Sequence, residues 1–134
     1  MNMNQFTQKS LAAIQGAQDI ALEHGNQQIE QPHLLLALVG DAEGFIPQLL
    51  TAVGLTVPSF EAAVSAEVSK LPKVSGSGRE SGKVYVSQDV DRALQAAGGE
   101  AQAMKDDYIS VEHILLGLLA CPSTALKELF RTYR

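Results

Sequence analysis

The sequence predicts an all-α domain that consists of two tandem helical repeats. Apolar residues recur at helical spacing along most of the chain, alanine is abundant, and only 5% of the residues are aromatic. In addition, a shift of 80 residues aligns the sequence with itself without a gap, so that Ile29 matches Ile109 and His33 matches His113. Such self-similarity indicates two copies of one helical unit. We therefore expect residues 1–134 to form one domain with its own core.

Four helices are expected in the first repeat. Thr7 is a suitable N-cap for the first helix, and Gly25 stands where that helix should end. Pro32 suits the first turn of the second helix, which is strongly apolar and should lie in the core. The third helix should end at Gly54, and the fourth should begin at Pro58 and stop before the next proline.

The second repeat should contain three corresponding helices. Ser87 is the expected N-cap of its long first helix, Ser110 that of the apolar second helix and Ser123 that of the third. A counterpart of the fourth helix would begin near residue 138, beyond the last residue of the sequence. We therefore expect the sequence to be part of a longer protein.

The stretch between the repeats is rich in glycine and serine and has a superficial likeness to a phosphate-binding loop. Counting back from Gly82 and Lys83, the first glycine that such a loop needs falls on Ser77. Val84 stands where the loop needs a hydroxyl for Mg²⁺. We therefore expect a solvated connector without a nucleotide site, in which residues 84–86 form a short extended segment. The expected boundaries are about 1–71 for the first repeat, about 72–86 for the connector and about 87–134 for the second repeat.

The charge and composition of the chain argue against several classes of function. With 10 basic and 15 acidic residues, the net charge is −5, which disfavours nucleic acid and anionic membrane surfaces as partners. Cys121 is the only cysteine, so an intramolecular disulfide is impossible and a reducing compartment is expected. No signal-peptide pattern begins the sequence, and its longest apolar run is too short to cross a bilayer. We expect a soluble, cytoplasmic protein.

The residues that could carry chemistry do not combine into a catalytic or metal site. His33 and His113 begin the second helix of each repeat, and neither has a second His or Cys three or four residues further on. We expect each ring to pack at its helix start and to bond nearby backbone. Cys121 lies about 12 Å along the helix from His113, too far for a nucleophile and its base, and is expected to be a core or helix-end residue. Asp106 and Asp107 should form an exposed acidic turn. Binding is therefore favoured over catalysis.

The two copies of the apolar motif resemble a known family. "PHLLLAL" in the first repeat and "DDYISVEHILLGLL" in the second are similar to the double Clp N-terminal domain, which precedes the ATPase rings of Clp-type AAA+ unfoldases. The resemblance covers nearly the whole chain and implies an all-helical fold with a pseudo-twofold axis. It also implies a mobile module that recruits substrate proteins or adaptors. No catalytic residue, metal or cofactor is then expected in this domain, and ATP and Mg²⁺ are expected only in the full-length protein.

The connector and the motifs distinguish two branches of that family. "LPKVSGSG" and "VYVSQDVDRAL" are similar to the connector of ClpB-type disaggregases. ClpC-type relatives usually carry a glutamate before the histidine in both repeats, where paired acidic pockets can take phosphorylated arginine. Here Glu112 precedes the second histidine, whereas Pro32 precedes the first, and this departure favours the ClpB type.

Three hypotheses about function follow from these observations. The resemblance implies the substrate-binding domain of an ATP-dependent disaggregase. This domain would recruit unfolded or aggregated polypeptides to the AAA+ ring. The full-length protein is expected to be a hexamer, and the isolated domain a monomer. The alternative is an adaptor-docking domain of a ClpA- or ClpC-type unfoldase that feeds a peptidase. A third class, an enzyme, would require nucleotide or metal binding by this chain alone.

The resemblance also implies a set of substrate-binding residues. In ClpB-type domains, a threonine at the start of the first helix, an aspartate before the aromatic-Ile-Ser turn and the glutamate of the second motif handle substrate. These positions are Thr7, Asp106 and Glu112 in this sequence. A nearby apolar groove would include Ala96 and His113, where relatives often carry larger apolar residues.

Overall fold

The fold is all-α, as the sequence predicts. The computed structural model describes residues 3–41, 44–71 and 85–132. The helices are α1 (Gln8–Glu23), α2 (Gln31–Gly40), α3 (Phe45–Ala52), α4 (Val57–Ser69), α5 (Gln88–Ala103), α6 (Val111–Ala120) and α7 (Thr124–Thr132). Two strands of two residues each, β1 (Gln28–Ile29) and β2 (Tyr85–Val86), complete the described elements together with a 3-10 helix at Met3–Gln5. The glycine-rich part of the connector, residues 72–84, lies outside the described residues, whereas the extended conformation expected just before Ser87 is confirmed.

The predicted N-caps account for where the long helices begin. The Thr7 hydroxyl accepts a hydrogen bond from the backbone N–H of Ser10 at 3.1 Å, and the Ser87 hydroxyl accepts one from the N–H of Val90 at 3.2 Å. Each bond satisfies a donor that the first helical turn would otherwise leave without a partner. The two caps are equivalent under the 80-residue shift. Both predictions are confirmed, as is that of Ser123 before α7.

The two repeats are joined by a pair of equivalent backbone contacts. Phe6 pairs in parallel with Ile109, and Ile29 pairs in parallel with Val86. In each pair the N-cap residue of the long helix donates its backbone N–H to the isoleucine carbonyl oxygen, at 3.0 and 3.1 Å. The 80-residue shift converts one contact into the other. In each repeat, the segment before the first helix therefore pairs with the segment before the second helix of the other repeat. A pseudo-twofold relation between the repeats requires this exchange.

Small residues allow the long helices to pack closely on the apolar ones. Ala17 and Ala21 of α1, and Ala93 and Ala97 of α5, are completely buried. They belong to one core that both repeats share. The prediction that most leucines of the apolar helices lie in the core is confirmed for Leu34, Leu35 and Leu38 of α2 and for Leu115 and Leu118 of α6.

The repeats differ at the surface that α4 covers. Val39 of α2 is only 2% exposed beneath α4, whereas its equivalent on α6, Leu119, is 50% exposed. Among the residues that the structure describes, the second repeat has no counterpart of α4. Within the same residues no single helix is long and apolar enough to cross a membrane, although two bent pairs, α2 with α3 and α6 with α7, meet that test by length and composition.

Candidate functional site

Two buried histidines organise equivalent sites at the starts of α2 and α6. The backbone N–H of Glu30 donates to His33 Nδ1 at 2.8 Å, and that of Ser110 donates to His113 Nδ1 at 2.9 Å. Each histidine is the third helical residue, where a capping box usually has Glu or Gln to accept this bond. The prediction that each ring packs at a helix start and bonds nearby backbone is confirmed.

The other ring nitrogen of each histidine meets a side chain seven residues upstream. Because Nδ1 is the acceptor of a backbone N–H, the hydrogen-bond network places the ring proton on Nε2. Nε2 of His33 donates to Asn26 Oδ1 at 2.8 Å, and Nε2 of His113 donates to Asp106 Oδ2 at 2.9 Å. Asn26 is buried, whereas half of the Asp106 side chain is exposed. The equivalent sites therefore differ in charge, and only the second presents a carboxylate to solvent.

Asp106 lines a groove of about 630 Å³ beside α5. Ala101 and Ile109 contribute to its apolar surface, and Asp107 adds a second carboxylate. Met104 and Tyr108, on either side of these acids in the chain, are more than half exposed. Both aspartates are exposed, as predicted for this turn. The loop thus carries exposed acidic and exposed apolar side chains.

The other predicted site residues lie at different distances from this groove. The backbone N–H of Thr7 donates to the Ile109 carbonyl oxygen at 3.0 Å, but its hydroxyl is engaged with Ser10 in the α1 cap. Glu112 is the second residue of α6, and its carboxylate has no ion pair or hydrogen bond within the described residues. Ala96 is partly buried on α5 and does not line the Asp106 groove.

The structure therefore brings together part of the predicted set. His113 and Asp106 are in direct contact, and Thr7 is one backbone hydrogen bond from the same loop. His113 is only 2% exposed, so its ring contacts Asp106 and not the solvent. Substrate binding by all five residues stays a prediction. Asn26, the partner of His33, belongs to no sequence motif, although the internal alignment places it opposite Asp106.

Across residues 3–41, 44–71 and 85–132, no three His, Cys, Asp or Glu side chains lie close enough together to hold a metal ion. Cys121 is the C-cap of α6, which confirms its prediction as a helix-end residue. Its thiol is unpaired, and the residue is partly buried.

A larger groove, of about 950 Å³, lies on the first repeat between α1, α2, α3 and α4, and Val111 of α6 also lines it. Gly16, which lines it, is the equivalent of Ala96 in the internal alignment. None of the five predicted site residues lines this groove. Its other lining residues include Ala12, Ala37, Phe45, Pro58 and Glu61.

Acid should destabilise the domain through His33. Burial, and secondarily electrostatic repulsion from the nearby His24, lower the pKa of His33 from 6.5 to about 4. Between these two values the unfolded chain binds a proton that the folded domain excludes, so stability should fall as pH falls from 6.5 to about 4. The limiting loss is on the order of 3 kcal/mol.

Urea denaturation across that pH range measures this effect. A His33→Gln variant is the control, because glutamine can accept from Glu30 and donate to Asn26 without titrating. We expect a shallower decline of stability with acid in the variant, whatever its stability at neutral pH. Parallel curves for the parent and the variant would contradict the role of His33.

The chain is similar to a known protein family and to the sequences of individual chaperones. Residues 5–133 match the family described as the Clp repeat (R) N-terminal domain. Chaperone protein ClpB of Porphyromonas gingivalis is 40% identical over 131 residues, which cover 96% of this chain and 15% of that protein. ClpB of Bacillus cereus is 39% identical over 116 residues, which cover 87% of this chain and 13% of that protein. The chain therefore spans about a seventh of the length of these relatives.

Solved structures share the fold. The N-terminal domain of Hsp104 from Candida albicans has a TM-score of 0.81 and 24% identity, with 96% of this chain and 81% of that chain covered. A ClpV N-domain in complex with a VipB peptide has a TM-score of 0.73 and 19% identity, with 96% of this chain and 78% of that chain covered. These likenesses establish the architecture.

Proposed function

This chain belongs to the Clp repeat N-terminal domain family, and we propose that it is the substrate-binding module of a ClpB-type protein disaggregase. The observation that carries the proposal is its similarity to ClpB chaperones, at up to 40% identity over 96% of the chain. In the proposed protein, this domain recruits unfolded or aggregated polypeptides to a hexameric, cytoplasmic AAA+ ring. ATP and Mg²⁺ act in that ring and not in this domain.

The Asp106 groove has the chemistry for weak capture of unfolded chains. Such chains expose apolar side chains together with unpaired backbone N–H groups, which can donate hydrogen bonds to an exposed carboxylate. His113 holds one Asp106 oxygen, which leaves the other to face a ligand. A contact of less than about 1,000 Å² gives roughly micromolar or weaker affinity, which suits a module that must release its cargo to a pore.

Docking of a folded adaptor for a ClpA- or ClpC-type unfoldase is the second candidate. It is favoured by the peptide complex of the ClpV N-domain, a protein of the same fold. The two candidates differ in what competes for the domain. If the domain captures unfolded chains, a chemically unfolded protein should displace its bound cargo. If it docks an adaptor, only a second folded adaptor should displace the bound one.

Asp106→Asn should weaken cargo binding without unfolding the domain. Asn26 shows that an asparagine accepts the histidine Nε2–H bond at the equivalent position, so the fold should retain its loop. The variant removes only the exposed charge. We expect the dissociation constant for a labelled unfolded protein to rise by about three- to tenfold, as the loss of one charge-assisted hydrogen bond implies.

Glu128→Gln is the matched control, because it removes one negative charge from an exposed position on α7. Fluorescence anisotropy measures binding of both variants, and circular dichroism measures their folding. Equal affinities for the two variants would contradict a role of Asp106 in recognition. Unfolding of Asp106→Asn would show that its carboxylate is structural.

A further inference from the structure

The groove of about 950 Å³ on the first repeat is a concave surface that the proposed site does not use. Small side chains form its walls, including Ala12 and Gly16 on α1 and Ala62 on α4. Ala37 of α2 also lines it, as does Phe45, which is 48% exposed. The groove can therefore admit bulky apolar side chains between two helices.

The groove continues past Glu61 along α3 and α4. A second depression of about 570 Å³ is lined by Pro47, Gln48 and Thr51, and it shares Gly40, Pro58 and Glu61 with the first. Glu61 therefore stands where the two meet. Together they form a track along α3 and α4, whose shape suits a segment of polypeptide.

The charge of this track is negative at its junction. At one rim, Lys9 Nζ lies 3.5 Å from Asp41 Oδ2, so these two charges largely neutralise each other. The Glu61 carboxylate has no ion pair or hydrogen bond within the described residues. It is partly buried among apolar groups, where a carboxylate gains most from a cationic partner. Anionic lipid and nucleic acid are disfavoured for the same reason.

We infer that this groove binds an apolar polypeptide segment that carries a lysine or arginine, with Glu61 paired to that cation. The apolar walls accept the flanking side chains, and Glu61 provides the charge complementarity at the junction. The inference rests on the proposed function for the class of cargo, unfolded polypeptide. It adds a second contact on the first repeat and a preference for basic segments.

Two synthetic peptides test the inference with the intact 134-residue chain. Both are short and apolar, and they differ only in a central arginine or a central glutamate. We expect the arginine peptide to bind about tenfold more tightly. Glu61→Gln should abolish that preference, Ala62→Phe should weaken both peptides by filling the groove, and Glu128→Gln should change neither.

Each outcome separates this inference from the proposed function. Asp106→Asn should leave the arginine preference intact, because Asp106 does not line this groove. If unfolded proteins do not bind but the Glu61-dependent preference persists, the proposed function fails and the groove assignment stands. A preference that survives both Glu61→Gln and Ala62→Phe overturns the inference. Self-association that depends on Glu61, without peptide binding, also overturns it, because the occupant is then a second copy.

Discussion

Replacing Gly117 by alanine should cost this domain about 3 kcal/mol or more, a large part of the total stability of a domain this size. Gly117 lies on α6 where that helix crosses α5. A Cβ atom there would stand 2.2 Å from the carbonyl oxygen of Ala93 and 2.9 Å from the backbone nitrogen of Ala97. Both atoms belong to a helix backbone that no side-chain rotation can move aside. The helices must separate, which opens the core beneath them.

Gly99→Ala is the matched control for this prediction. Gly99 lies on an exposed face of α5, and no atom outside its own helix backbone would meet an added Cβ within 4 Å. Because alanine favours helix, this variant should gain about 0.5–1 kcal/mol. Urea denaturation compares both variants with the parent. A Gly117→Ala domain as stable as the parent would mean that the α5–α6 crossing tolerates wider spacing.

The helix boundaries were predictable because their signals are local. N-caps act within one turn of their own helix, and glycine marks the left-handed residue that follows a helix. Gly25 and Gly54 adopt such conformations, with φ of 70° and 98°. Lys105 occupies the place of Gly25 in the second repeat with φ of 61°, so no glycine signalled the end of α5. The family resemblance, which is confirmed, also depended on motifs within continuous segments.

Contacts between the repeats could not be predicted in the same way. The parallel pairs Phe6–Ile109 and Ile29–Val86 involve segments too short to carry a strand pattern. Their partners are determined by how the repeats dock. The internal alignment identifies which residues are equivalent, but equivalence does not show which of them touch.

The candidate site was predictable only in part for a related reason. The resemblance identified Asp106 and His113, whose contact requires the turn after α5 to fold back onto α6. The larger groove at Gly16 depends on the spacing between α1 and α4. No sequence motif predicts that spacing. Ala37 and Gly117 are equivalent in the alignment, yet only the glycine lies against a helix backbone.

Gln31→Leu should destabilise the domain by about 3–4 kcal/mol, although leucine has a similar size. Gln31 is completely buried at the start of α2. Its amide nitrogen donates to the carbonyl oxygens of Asp89 and Cys121, and its amide oxygen accepts from the backbone N–H of Ser123, each at 2.8 Å. Leucine would leave two carbonyl oxygens and one N–H group without these partners in the interior.

The size of the effect follows from what remains after the side chain is removed. Each bond contributes about 1 kcal/mol, and a buried backbone group that loses its partner adds a desolvation penalty. Gln48→Leu, on an exposed face of α3, makes the same chemical change where water can replace the amide, so it should alter stability by less than about 0.5 kcal/mol. Urea denaturation of both variants tests the difference. Equal stabilities of the two variants would mean that water enters and hydrogen-bonds to the three backbone groups. A large loss of stability in Gln31→Leu alone would identify this glutamine as the polar link between α2 of the first repeat and α5, α6 and α7 of the second.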